Sequence, residues 1–504
     1  MFPVIKDEVS KHPTNRITIE PVTRLEGHGK IEIFLDEAGN VSNAYFQIPE
    51  LRGFEKFCIG RCVDDLNKLT QRLCGVCPGA HHIAGTKALD EVYGSKPPSA
   101  AVKLRELYYN AHIIHSHIAH FYALAAPDFL MGPAAPASKR NLLSMIETVG
   151  KDIGLEVIKH RSYAQRVQEI IGGKATHSVC GIPGGMSRAI TEEERKEIEK
   201  MAESSVEFSK FSLGLFKEKV LSNREYLEMI KDKELYYNET YYMGMVDDEN
   251  KANFYDGKIR VVDQDRKEVF KFKGKEYLKY ISERVESWSY MKFPYLKMVG
   301  WKGYEDGKSS GVYRVGPLAR LNVIEGFTTP LAQKELEEFR GFFSDLGVKG
   351  SVHNTMAYHW ARLIEVVHCS ERMLELSTDK EITSSELRGR LSEPGEGVGV
   401  VEAPRGTLIH HYKSDKDGIT RDVNLVVATT HNNAAICMSV KKAASKLIRN
   451  YEVSNGILNM IEMAFRAYDP CFSCGTHALP GQMPLEIEIK RADGSVYKMF
   501  KRFE

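Results

Sequence analysis

The sequence predicts an α+β protein: a mainly helical core of long helices, with β elements at the N-terminus and in a peripheral region. Three observations predict it. Residues 17–48 alternate apolar and polar side chains around a Gly-His-Gly and a Glu-Ala-Gly-Asn turn, the period-two pattern of a hairpin or small sheet. From about residue 61 the apolar residues recur at helical spacing instead. Residues 235–325 leave that pattern, being rich in Tyr, Lys, Gly and Asp with short β-like runs.

Each element follows in order. Residues 100–125 (AAVKLRELYYNAHIIHSHIAHFYALA) are apolar on more than one face, which predicts a buried helix. Residues 137–172 and 191–232 read as long helices, the second opening on Thr191 with Glu194 three positions on, a capping box. The runs KIRVVD and EVFKFKG mark 235–325 as a peripheral β-containing region. Helices resume at 331–346, 355–378 and 438–467, and 483–503 read as two short strands around Asp493-Gly494. No repeat or low-complexity linker divides the chain, so 1–504 is read as one domain.

Composition narrows the function. With 504 residues, 42% hydrophobic and 27% charged, the chain can bury a large core and is not of disordered type. Lys and Arg total 69 against 68 Asp and Glu, so net charge (+1) supports neither nucleic acid nor an anionic membrane as partner. No apolar run has membrane-spanning length, and the N-terminus has no signal-peptide core. The expectation is a cytoplasmic protein without a membrane span.

The nine cysteines are an odd number in a long chain, which argues against a disulfide scaffold. Four form two CxxC pairs: Arg72-Leu-Cys74-Gly-Val-Cys77-Pro-Gly-Ala-His81 and Asp469-Pro-Cys471-Phe-Ser-Cys474-Gly-Thr-His477. This spacing lets two sulfurs converge on one metal, and Gly75, Pro78, Gly79, Pro470 and Gly475 suit the tight turns required. Zinc ribbons place their pairs ~15–20 residues apart, whereas these lie near opposite ends of the chain. Spacing alone leaves open a long-range four-thiolate zinc site, another thiophilic metal, or two separate redox dithiols.

The flanking motifs discriminate further. Arg24-Leu-Glu-Gly-His28, Arg52-Gly-Phe-Glu55 and Glu402-Ala-Pro-Arg-Gly406 stand in order with the two cysteine motifs. Together the five resemble the large, catalytic subunit of nickel–iron hydrogenases. The resemblance implies that family's fold and a nickel ion held by Cys74, Cys77, Cys471 and Cys474. Cys74 and Cys471 would be terminal on nickel. Cys77 and Cys474 would bridge to an iron carrying carbon monoxide and cyanide. Soft thiolates suit such a centre.

The implied reaction is reversible, heterolytic cleavage of H2 to protons and electrons. It needs a base beside the metal, for which Cys471 is suited, with Glu26 as the proton-relay carboxylate. Taken alone, Glu26 reads as an ion-pair partner of Arg24 or a strand-surface charge. Arg405 matches the arginine over the open metal position; taken alone it reads as a structural salt bridge. Thr429 matches a hydroxyl that donates to an iron-bound cyanide, although Ala428 precedes it where the family often has Pro. Glu55, His477 and the main-chain carbonyl of Leu425 match ligands of a second ion, magnesium or iron. His81 and Asp469 would stand directly behind the metal ligands.

One departure is informative. Many respiratory members carry His-Asp-His where this chain has His115-Ser116-His117. A carboxylate near Arg405 is thereby lost, leaving Asp469 to that role. The change favours the cytoplasmic, bidirectional branch, resembling its F420-non-reducing (methyl-viologen-reducing) type; a sulfhydrogenase or an F420-reducing type is the alternative. His112, His120 and His368 are read as packing residues. Cys58 and Cys62 are expected on one helix face, and Cys180 in a structural loop.

A nickel–iron centre releases electrons, and the chain has no further Cys-rich pattern for a relay. The resemblance therefore implies, as partner, a small iron–sulfur subunit, with further electron-transfer subunits, of heterodisulfide reductase type or similar, beyond it. Precursors in the family carry a C-terminal extension cut after the histidine matching His477, so 478–504 is either removed on maturation or retained. Two rivals stand against this reading. One is the related component of respiratory NADH–quinone oxidoreductase, which has generally lost the four thiolates. The other is a zinc-stabilised scaffold.

Overall fold

The computed structural model describes residues 10–11, 15–478, 485–491 and 495–502. The N-terminal strands Arg16–Ile19, Lys30–Leu35 and Val41–Gln47 form the expected antiparallel sheet, with Ile31, Ile33 and Phe46 fully buried.

The helical centre is built on Ser99–Ala119, Lys151–Gly172, Glu192–Phe216 and Ala357–Thr378, which pack on one another. Ser99–Ala119 passes into one wide turn, His120–Ala125, before Ala126–Leu130. Pro127 accounts for the widening, because its ring has no N–H and would clash with the carbonyl four residues back.

Three predicted helices are divided. Residues 137–172 break at Gly150, whose φ of 97° is left-handed, between Leu142–Val149 and Lys151–Gly172. Residues 191–232 keep the Thr191–Glu194 capping box, then pass through a wide turn, Lys217–Leu221, into Arg224–Lys231. Residues 438–467 are two helices, Asn433–Leu447 and Asn455–Arg466, parted where Asn450 and Tyr451 both take positive φ. Pro330–Asp345 and Ala357–Thr378 match expectation closely.

Within 235–325 lies a four-stranded sheet ordered Tyr313–Arg314, Tyr241–Val246, Lys258–Val262, Glu268–Phe272, beside a hairpin of Ile281–Arg284 and Phe293–Leu296. Tyr241–Val246 is buried along its whole length. In the C-terminal segment Leu485–Lys490 pairs with Val496–Arg502; the Asp493-Gly494 turn lies outside the described residues. No helix among the described residues is long and apolar enough to cross a membrane.

One sheet was not anticipated. Glu396–Ala403, Gly406–Ser414 and Thr420–Val426 form an antiparallel meander, with seven consecutive buried residues beginning its central strand. A strand covered on both faces shows no alternation in sequence. The helix Pro78–Val92 lies directly on Glu396–Ala403 because Gly397 and Gly399 have no side chains. A Cβ on them would fall 2.3 Å from the Ala88 carbonyl oxygen and 2.0 Å from that of Ala84. This contact brings the first CxxC turn toward the turn that carries Arg405.

Candidate metal centre

Cys74 lies in the loop before the helix Pro78–Val92, and Cys77 caps that helix. Cys471 and Cys474 flank and occupy the short turn Phe472–Gly475. Their sulfurs converge, all within 4.8 Å of one another. The separations are 3.2 Å for Cys74–Cys471, 3.3 Å for Cys77–Cys474, 4.0 Å for Cys77–Cys471 and 2.8 Å for Cys471–Cys474. Metal–sulfur bonds of about 2.3 Å place neighbouring sulfurs roughly 3.3–3.8 Å apart; Cys74–Cys471 and Cys77–Cys474 lie close to that span and Cys471–Cys474 is shorter, and the four converge as ligands of one thiophilic ion would. None is at disulfide distance, ~2.05 Å, and all four are buried. The N–H groups of Val76 and Cys77 each donate to Cys74 Sγ at 3.2 Å, which stabilises charge on that sulfur.

Glu26 meets this cluster from the other end of the chain. The Cys471 thiol lies 2.9 Å from Glu26 Oε2, which also accepts from the Ser473 N–H at 3.2 Å. The two backbones touch as well, Phe472 N–H donating to the Glu26 carbonyl at 2.9 Å. Gly27 permits the approach: its φ is 87°, and a Cβ would sit 2.7 Å from Ser473 N. Burial pushes the Glu26 carboxyl above the usual carboxylate range, and the Cys74 charge adds to the effect. Arg24 does not pair with Glu26. It turns instead to Asp128, Asn459 and the Leu124 carbonyl.

Arg405 occupies the two-residue turn between Glu396–Ala403 and Gly406–Ser414. Its Nε donates to the Asp469 carbonyl at 2.5 Å, one terminal nitrogen to Asp469 Oδ1 at 3.0 Å, and the other reaches Ser116 Oγ at 3.5 Å. Burial works against its charge, but Asp469 and the nearby sulfurs more than offset that. Asp469 is thus the carboxylate on Arg405, and Ser116 stands near it with a hydroxyl alone.

Thr429 Oγ1 accepts the Cys471 N–H at 2.9 Å. Its hydroxyl borders a small pocket beside Cys77, Cys471 and Cys474, closed by Ala403, Pro404, Leu408 and Val427. His81 Nε2 is 3.4 Å from Cys474 Sγ, and burial holds its pKa down to about 4.

Behind Cys474, His477 Nδ1 donates to the Cys474 carbonyl at 2.8 Å. Its Nε2 is buried without a hydrogen-bond partner among the described residues, 3.7 Å from Glu55 Oε1. Glu55 Oε1 also accepts the Leu425 N–H at 2.8 Å. The N–H and C=O of a strand residue leave on the same edge, so the Leu425 carbonyl faces Glu55 too. An orphaned imidazole nitrogen, a carboxylate and a carbonyl suit a hard cation.

Sequence reasoning missed Arg52 and His410. Arg52 donates to the carbonyls of Leu73, Arg72 and Ser473, tying the two cysteine loops together. The Arg52-Gly-Phe-Glu55 motif was the available signal. His410, 3.0 Å from His81 Nδ1, carried none beyond an inward strand position. The other residues singled out lie apart from the centre or hold packing partners. His112 bonds Gln168, His120 the Arg466 carbonyl, and His368 Thr329. Cys58 and Cys62 do not share a helix face: the helix ends at Cys58 and the chain turns away at Gly60, whose φ is 81°, leaving Cys58 buried and Cys62 exposed. Cys180 is buried, its pKa pushed up to about 12.

Comparison with known proteins places this geometry. A family model described as nickel-dependent hydrogenase matches residues 52–139 and 217–477, and a HoxL-like model matches 16–51. The chain is 49% identical to an iron-sulfur subunit of the F420-non-reducing hydrogenase of Archaeoglobus profundus, over 97% of this chain and 100% of the relative. It is 38% identical to the beta subunit of the NAD-reducing hydrogenase HoxS of Cupriavidus necator, over 95% and 98%. Among solved structures it resembles an NAD+-reducing [NiFe]-hydrogenase in the H2-reduced state, at 37% identity and a TM-score of 0.86, covering 92% of this chain and 100% of that one.

Proposed function

The chain belongs to the nickel-dependent hydrogenase family and is a large subunit that activates H2 at a nickel–iron site; from that premise we propose how its residues divide the work. Cys74, Cys77, Cys471 and Cys474 hold the nickel–iron group, which when bound supplies the site where H2 is split into protons and electrons. Cys77 and Cys474 would be the pair shared with iron. The pocket lined by Ala403, Pro404, Leu408 and Val427 would take the small ligands of that iron, carbon monoxide and cyanide. The Thr429 hydroxyl, its oxygen already accepting from Cys471 N–H, donates into this pocket.

Cys471 Sγ receives the proton and Glu26 Oε2 accepts it next, across 2.9 Å. A carboxyl with a raised pKa suits passage in both directions, since it holds and releases a proton nearer neutral pH. Arg405 keeps a fixed positive charge beside the sulfurs, and Asp469 aims it through two hydrogen bonds. Glu55, His477 and the Leu425 carbonyl would hold magnesium or a second iron in a structural role.

The single observation that carries the reading is the Glu26–Cys471 contact. A zinc scaffold needs four thiolates but no half-buried carboxylate hydrogen-bonded to one of them. Metal analysis of the purified chain tests it: about one nickel per chain is the expected result, with one iron, or two where the second site holds iron, and infrared bands of iron-bound carbon monoxide and cyanide; zinc alone defeats it.

Electrons leave through a small subunit bearing iron–sulfur clusters and then further electron-transfer subunits, and the protein works in the cytoplasm. The identity to F420-non-reducing relatives supports the F420-non-reducing type. A sulfhydrogenase role has weaker support, at 30% identity to the alpha chain of sulfhydrogenase 2 of Pyrococcus furiosus. Intact mass of the purified protein separates a chain cut after His477 from one that retains 478–504.

A further inference from the structure

Behind Cys474 runs a line of buried polar groups that the proposed reaction does not use. His81 Nε2 lies 3.4 Å from Cys474 Sγ, His81 Nδ1 lies 3.0 Å from His410 Nε2, and His410 Nδ1 lies 2.6 Å from the Tyr412 hydroxyl. Thr70 Oγ1 stands 3.3 Å beyond Tyr412 and 2.7 Å from the Leu66 carbonyl. His410 and Tyr412 share one face of Gly406–Ser414, being two residues apart on a strand. All four side chains are essentially without solvent exposure. Gly85 makes room for the phenol: a Cβ there would sit 2.9 Å from the Tyr412 oxygen.

We propose that Tyr412, acting through His410, is a positioning residue that commits His81 to donating its Nε2–H to Cys474. The argument is one of proton count. A neutral imidazole carries one N–H, so each ring is a donor at one nitrogen and an acceptor at the other. A metal-bound thiolate only accepts. His81 must then carry its proton on Nε2, and its bare Nδ1 must accept from His410 Nε2–H. His410 Nδ1 is therefore bare and takes the Tyr412 O–H across the shortest contact in the line. Thr70 gives its own proton to Leu66, which frees the phenol to face inward.

Reversing every bond is the competing arrangement: protons would point outward, from His81 to His410, to Tyr412, to Thr70. That arrangement turns a lone pair toward the sulfur and leans on the long 3.3 Å contact. The inward arrangement uses the short contacts, and successive donors polarise one another. Thr70 is buried and its proton goes to the Leu66 carbonyl, so the line of side chains ends inside the protein. Its effect is to withdraw charge from one of the two sulfurs proposed to be shared with iron.

This inference rests on the nickel–iron reading above, and its test separates the two. In the metal-loaded enzyme with its partner subunit, Tyr412→Phe should move the carbon monoxide stretch to lower wavenumber, since a sulfur with a weakened donor passes more charge to iron. His410→Gln should move it in the same direction, and serves where Tyr412→Phe fails to load metal. Thr70→Val should leave the bands in place. Bands unmoved in both Tyr412→Phe and His410→Gln, or moved by Thr70→Val as far as by Tyr412→Phe, would overturn the inference. If the unsubstituted enzyme shows no such bands, the nickel–iron reading itself fails.

Discussion

Glu26 and Cys471 are 445 positions apart in sequence and 2.9 Å apart in space. Glu26→Gln keeps a polar group of the same shape but removes the titratable oxygen. It should retain nickel and iron while H2/D2O exchange falls by roughly 10²–10⁴-fold; near-normal exchange would sink the relay. At Arg405 the geometry depends on a fork, with Nε on the Asp469 carbonyl and a terminal nitrogen on its carboxylate. Lysine cannot make both bonds. Losing one charged hydrogen bond, about 1.5–3 kcal/mol, predicts that Arg405→Lys lowers kcat roughly 10–100-fold with metal content unchanged. A kcat within twofold of the parent would show that the fork is not required. Both residues were legible, because each sits in a short motif. What was not legible is the pairing of Arg24: adjacency in sequence suggested Glu26, but the positive φ of Arg24 sends its side chain to Asp128.

Elements align these residues, and here glycine and buried charge matter more than motif. The helix after Cys77 reaches the strand before Arg405 through Gly397 and Gly399. Gly399→Ala would drive a methyl into the Ala84 carbonyl. Overpacking of this kind costs about 1–3 kcal/mol, so the melting temperature should fall and nickel retention with it; unchanged retention would mean that the spacing has slack. The turn bearing Arg405 is held from beneath. Arg320 donates to Glu365, to Glu402 at 2.8 Å and to the Ala403 and Pro404 carbonyls, all buried, with His117 on the far side of Glu365. Arg320→Met would strand two buried carboxylates, an expected loss of about 3–5 kcal/mol, read by thermal or denaturant unfolding. The sheet carrying this turn escaped sequence reading because its central strand is covered on both sides.

Across the whole molecule, burial of histidine sets a pH limit. His353, His359, His368 and His431 are held to about 3, chiefly by desolvation. Their unfolded pKa is about 6.5, so below that value the unfolded chain binds protons that the folded chain refuses. Their contribution is whole above about pH 6.5 and is lost as pH falls toward the folded values, at up to ~1.4 kcal/mol per pH unit for each group. The melting temperature should therefore decline steadily from about pH 7 to pH 5, before most carboxylates titrate. A flat profile across that window would show that these rings gain protons without unfolding.

Legible in the sequence were two CxxC turns, a carboxylate, an arginine and a histidine in ordered motifs, with the α+β class and a helical centre; the nickel–iron chemistry followed only from the family those motifs resemble. Local pattern suffices for these because a cysteine spacing, a cap or a periodic face is a property of neighbouring residues. Only the tertiary structure decided that the two cysteine turns meet and that Glu26 lies on Cys471. It also decided that Arg52 ties both loops, and that a strand hidden from alternation lines up His410 and Tyr412 behind Cys474. These are contacts between residues tens to hundreds of positions apart, and the burial that creates them is a sum over the whole core rather than a signal in any one segment.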